Sequence, residues 1–300
     1  MSSRLACAGK GVRLADCIPR GAWDSHMHVV DARYKLSSTA LYTPTPHTLD
    51  QALQFESLFG IKNIVLVQPS IYGNDNSCTL DALAAVGPRH GRAVVAIDPN
   101  ATRPETLKQW HDMGVRGVRL NLKSVGRTPS RTELFAELMA HADMIRPLGW
   151  VLQVYLSLDA VQDIEHLMPK LDVKLCIDHF GHPSLPQNIA TRRSLDPYTL
   201  PGFESLIRLL KGGRTWVKCS AAYRIEKEPE MPSVEIIARE LLRVASKRVV
   251  FATDWPHTRF EHTDVRSFVE ACLRWCENNP DMRERLFRRN AEELWDTVQS

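Results

Sequence analysis

The chain has 300 residues, 44% of them hydrophobic and 24% charged, the mix of a soluble globular protein with a sizeable core. Thirty-eight Lys and Arg against 35 Asp and Glu leave a formal charge of +3, which offers no field for gripping nucleic acid or an anionic membrane. No apolar run reaches the roughly 18–20 residues needed to cross a bilayer.

Residues 1–18 contain no hydrophobic segment of the secretory kind and are read as a poorly ordered extension. Their Arg and Ser content, with no acid before Asp16, gives a mitochondrial transit segment as the alternative. Residues 19–298 are read as one domain. The cysteines are seven, scattered and without a CxxC pair, which fits reduced thiols in a cytoplasmic protein.

From Trp23 onward, short β-rich apolar runs alternate with stretches of helical spacing. The strand candidates are Trp23–His28, Asn63–Gln68, Ala93–Ile97, Gly117–Leu122, Val151–Leu156, Val173–His179, Thr215–Ser220 and Arg248–Asp254. The helix candidates between and after them are Leu49–Phe59, Thr79–Val86, Pro104–Met113, Arg131–Ile145, Ala160–Met168, Phe203–Leu210, Ser233–Ala245 and Val265–Cys276. Apolar strands alternating with helices indicate a parallel sheet covered on both faces. Eight such units predict a closed α/β barrel of the (β/α)8, or TIM-barrel, class. Gly114 and Gly149 are expected to cap the helices before the fourth and fifth strands. The long unpatterned stretches Asp31–Pro46, Pro183–Gly202 and Ala222–Pro232 all follow strands, on the side where such barrels carry their chemistry.

Polar residues interrupt the strands at their C-terminal ends. His26 and His28 are two residues apart, so in a strand both imidazoles share one face. His179 follows the sixth strand, and Asp254 ends the eighth. Four residues of ligand or acid–base type at such ends are expected to form one active site. His47, His90, His111, His141, His166 and His262 fall on helices or their entrances and are read as surface or helix positions.

These residues also carry a resemblance. WDSHMHVVD, CIDHFGHP and VVFATDWPH, with VLVQPSIYGNDN, RGVRLN, WVLQVYL and VKCSAAYR between them, resemble the amidohydrolase superfamily. More narrowly they are similar to its amidohydrolase-2 branch, which includes the 2-pyrone-4,6-dicarboxylate lactonases and related lactonases. The resemblance implies hydrolysis of a small carboxylated lactone as the substrate class. Asp254 would be the general base, and His26, His28 and His179 would stabilise the carbonyl oxyanion. It further implies substrate contacts from Tyr42, Ser70, Arg119, Arg127, Tyr155 and Arg224, since guanidinium forks suit carboxylates.

His182 stands where those lactonases carry an Arg, which weakens one carboxylate contact, and His257 lies beside Asp254 at the rim. Gln153 and Tyr155 occupy the fifth strand, where metal-dependent cousins supply a His. No cofactor is therefore expected to be required. If one Zn or Mn ion is bound, its ligands would be His26, His28, His179 and Asp254. The alternative is a metal-dependent decarboxylase of the same branch. A monomer or homodimer is expected.

Overall fold

A computed structural model describes residues 13–188, 192–260 and 262–297 of the chain. Eight parallel strands follow one another in sheet order: β1 Trp23–Met27, β2 Asn63–Val67, β3 Gly91–Val95, β4 Val115–Asn121, β5 Val151–Tyr155, β6 Lys174–Ile177, β7 Thr215–Cys219 and β8 Val249–Phe251. The last closes toward the first through backbone bonds just beyond the strands. His28 N donates to Trp255 O at 2.8 Å and Asp254 N to His26 O at 2.9 Å. The result is a nearly closed single-domain (β/α)8 barrel, as the alternation predicts. Among the described residues, no helix is long and apolar enough to cross a membrane.

The helices are α1 Leu14–Cys17, α2 Leu49–Ser57, α3 Ser77–Val86, α4 Pro104–Met113, α5 Arg131–Ile145, α6 Val161–Glu165, α7 Met168–Leu171, α8 Phe203–Lys211, α9 Pro232–Ala245, α10 Arg266–Trp275, α11 Pro280–Glu284 and α12 Asn290–Leu294. Thr48 and Ser130 open α2 and α5 with capping boxes, in which Gln51 and Glu133 return the bond to the cap residue. Gly114 caps α4 in the left-handed region at φ 110°, a conformation that only glycine adopts cheaply.

Two sequence expectations need correction. The helix read across Ala160–Met168 is two pieces, α6 and α7, because Pro169 starts a new first turn. The expected extension through Ile18 also ends earlier, since Leu14–Cys17 is helical and Cys17 and Ile18 are buried. Residues 1–12 of that extension lie outside the described residues.

The core has two parts. Most apolar side chains fill the space between strands and helices. A second cluster fills the barrel interior: Trp23, Val65, Val67, Val94, Val151, Cys176, Trp216 and Val250, with Ala291, Leu294 and Trp295. The fully buried Trp295 donates Nε1 to Ser25 Oγ at 3.2 Å. The barrel is thus packed at its N-terminal end, which leaves its C-terminal end for polar chemistry.

Candidate active site

Above that apolar layer lies a band of buried polar side chains. Lys218, in the middle of β7, has no exposed surface. Its Nζ donates to Gln153 Oε1 at 2.7 Å and to His26 Nδ1 at 3.1 Å, and lies 3.4 Å from Asp178 Oδ1. The Trp295 ring sits 5.4 Å beneath it. Asp178 Oδ2 accepts from Gln153 Nε2 at 3.0 Å and from Arg119 Nη2 at 3.4 Å. Burial opposes the Asp178 charge, but Lys218, His26 and Arg119 outweigh it and hold the carboxyl well below its usual range.

One level higher, three imidazoles converge on a single carboxylate oxygen. Asp254 Oδ1 lies 3.6 Å from His26 Nε2, 3.7 Å from His28 Nε2 and 3.9 Å from His179 Nε2. The other oxygen, Oδ2, accepts from Tyr223 Oη at 2.6 Å and Arg224 Nε at 2.8 Å. Burial again opposes ionisation, yet Arg224 keeps Asp254 well below the ordinary carboxylate range. The four residues come from the ends of β1, β6 and β8, as the sequence spacing predicts. His179 and Asp254 have positive φ, at 52° and 63°, backbone strain of the kind that collects at functional sites.

The hydrogen bonds fix the tautomers. His28 Nδ1 lies 2.7 Å from the Val67 carbonyl, which can only accept, so the proton of neutral His28 is on Nδ1 and Nε2 bears a lone pair. His26 Nε2, 3.2 Å from that lone pair, is then the donor, and its Nδ1 accepts from Lys218. His179 Nδ1 bonds Ser220 Oγ at 2.8 Å. Burial pushes His28 and His179 down to about 4 and His26 well below its usual value, so all three are neutral at pH 7. With its proton on Nδ1, neutral His28 presents a lone pair at Nε2.

His26, His28 and Asp254 hold their ligand atoms close enough together to share one divalent cation, and two imidazoles with a carboxylate are the chemistry of a Zn or Mn site; His26 also forms such a group with Asp178 and His179. His26 would have to carry its proton on Nδ1 instead. Asp178 Oδ1, 3.4 Å from Nδ1 and without a hydrogen bond, stands ready to accept it. The residues fit the ion.

The remaining expected site residues divide. Tyr42, Ser70, Arg119, Tyr155 and Arg224 line a cavity of about 30 Å³ with His28, His179 and Asp254. Arg224 is there chiefly as a partner of Asp254, and its Nη2 donates to Thr258 O at 3.2 Å. Arg127 lies outside this cavity, clasped by Glu137 on α5. His182 is not at the cavity wall: its Nδ1 bonds Tyr155 Oη at 3.1 Å, and burial takes its pKa down to about 3. His257 packs behind the site against Phe55 and Tyr223 rather than at the rim. His141 is buried on α5, its Nδ1 bonding Glu137 O.

Sequence reasoning missed Lys218, Gln153 and Tyr223 as parts of the site. A lysine amid the apolar TWVKC run was a usable signal, because an unpaired buried ammonium is not tolerated.

Known proteins agree with this architecture. The sequence model of the amidohydrolase family matches residues 23–297. A 4-sulfomuconolactone hydrolase of Hydrogenophaga intermedia is 33% identical over 251 residues, covering 81% of this chain and 77% of that protein. The 2-pyrone-4,6-dicarboxylate hydrolase of Comamonas testosteroni is 26% identical over 254 residues, covering 80% and 78%. The crystal structure of a candidate 2-pyrone-4,6-dicarboxylic acid hydrolase from Pseudomonas putida superposes with a TM-score of 0.77 at 28% identity, covering 94% of this chain and all of that one.

Proposed function

The chain belongs to the amidohydrolase family, and we propose that it is a hydrolase that opens the ring ester of a small acidic lactone. The observation that carries this reading is Asp254. Its carboxylate is ionised, Oδ2 is held by Tyr223 and Arg224, and Oδ1 alone faces the imidazoles and the cavity. The two lactone hydrolases similar to this chain support the substrate class.

In this mechanism Asp254 Oδ1 takes a proton from a water as the water oxygen bonds to the lactone carbonyl carbon. With Ser220 Oγ donating to its Nδ1, His179 turns Nε2–H into the cavity and donates it to the carbonyl oxygen, while the His26 Nε2–H stays on its acceptor, His28. The ring C–O bond then breaks, and the proton on Asp254 passes to the departing oxygen to give the ring-opened acid. Arg119 and the free edge of the Arg224 guanidinium orient the substrate's acidic group. Gln153 and Tyr155 add no metal ligand from β5, which favours hydrolysis over carbon–carbon cleavage.

No cofactor is required in this mechanism; the alternative extension is one Zn or Mn ion held by His26, His28 and Asp254, with His26 Nε2 then a ligand. Bound there, it would polarise the lactone carbonyl as a Lewis acid. On that alternative, elemental analysis would find about one such ion per chain, with activity lost on chelation and restored by the metal. Full activity in metal-free protein would sink this extension and leave the lactone reading in place.

The core reading is tested by proton release on a panel of acidic lactones. Wild type is expected to turn over at least one of them. Asp254→Asn should lose on the order of 10³-fold or more in kcat with an unchanged circular dichroism spectrum. Near-normal turnover by the variant removes Asp254 as the base.

A further inference from the structure

The reaction-centre cavity, about 30 Å³, has room for little more than a water and a carbonyl group. The bulk of any ring substrate has to lie elsewhere. A second chamber of about 620 Å³ opens beside it and shares Pro69, Ser70 and Arg119 with it. This chamber exists because α5 turns Ala136 and Ala140, one helical turn apart, toward it. Longer side chains there would fill the space.

The chamber's charges are already satisfied. Arg127 is engaged by Glu137, Arg119 reaches Asp178, and Asp98 Oδ1 accepts the Asn100 amide at 2.9 Å. What the walls still offer is hydrogen bonding. Asn121 Nδ2 and Arg119 Nε are buried donors without a partner, and the Asn74 and Asn100 side chains line the wall. A buried donor left unsatisfied destabilises the fold, a penalty that a ligand oxygen relieves.

We propose that this chamber is a subsite for a neutral, hydroxyl-bearing arm carried on the lactone ring. The inference rests on the lactone reading above and adds to it. One acidic group sits at the junction beside Arg119, and the arm extends past Asn121 toward Asn100. A second acidic group is disfavoured in the chamber, because Asp98 contributes negative charge while Arg127 and Glu137 already offset each other.

The test uses two lactones with the same acidic ring, one bearing a hydroxylated side chain and one bearing hydrogen in its place. Both are assayed with wild type, Ala140→Phe and the milder Ala136→Leu, so that one variant serves if the other fails to fold. KM for the arm-bearing lactone is expected to rise about tenfold or more in the filled variants, while KM and kcat for the armless lactone stay within about twofold. Unchanged KM for the arm-bearing lactone, or equal losses on both, overturns the subsite and leaves the lactone reading standing. No turnover of either lactone by wild type overturns the reading and the subsite with it.

Discussion

Lys218 illustrates how the site is held. Its ammonium, fully enclosed between Trp295 below and His26 above, survives burial because Gln153 and His26 accept its hydrogen bonds and the Asp178 carboxylate lies 3.4 Å away. It is a positioning residue: it touches no cavity, yet its bond to Nδ1 decides on which nitrogen His26 carries its hydrogen. Lys218→Met would leave Asp178 with Gln153 and a long contact to Arg119. Stability by urea denaturation is expected to fall by about 3–5 kcal/mol, the usual result of breaking a buried ion pair from one side. A loss within experimental error would contradict the network. Tyr223 and the partners of Lys218 and Arg224 could not be read from the sequence for one physical reason. Arg224 finds Asp254 30 positions away and Lys218 finds His26 192 positions away, and only strand order in space brings them together. His26, His28, His179 and Asp254 were legible because local pattern located them at strand ends: His179 and Asp254 stand one polar residue past apolar runs, and His26 and His28 are spaced two apart in a strand candidate.

At the scale of elements, the contact between α2 and β1 carries a second buried acidic pair. Glu56 on α2 is fully buried against Asp24 on β1. Asp24 Oδ1 accepts from the amides of His26 at 2.9 Å and Thr253 at 3.1 Å, which ties the ends of β1 and β8 together beside the site. Burial raises Asp24 to about 6, and burial together with Asp24 raises Glu56 well above its ordinary value. An acid whose pKa is raised on folding holds its proton more tightly in the native state. Its stability contribution is therefore intact below the unfolded pKa and lost as pH climbs through the folded one. Glu56→Gln carries no such loss. Its melting temperature should exceed wild type by roughly 2–4 °C at pH 8, with the gap closing toward pH 5. A gap that widens on acidification would contradict the assignment. The eight strand-then-helix units were legible in number and order, because the hydrophobic period switches between strand and helix in every unit, whereas the short helices α1, α11 and α12 were not. The split of α6 from α7 was not anticipated, although Pro169 was visible, because a proline marks a helix start as readily as an end.

Across the whole molecule, one end of the barrel is packed around Trp295 and the other is polar, strained and hollow. Polarity rises by layers, from apolar side chains through the Lys218–Asp178 band to the imidazoles over Asp254. That arrangement suits a reaction in which charge develops on a carbonyl oxygen inside a site largely closed to water. The central claim is that a water oxygen becomes part of a ring-opened product. It is tested most directly by running the reaction on an acidic lactone in ¹⁸O-labelled water and weighing the product by mass spectrometry. The account predicts one ¹⁸O atom in a newly formed carboxylate, with every carbon retained. Loss of carbon dioxide, or a rearranged ring without label, would contradict it.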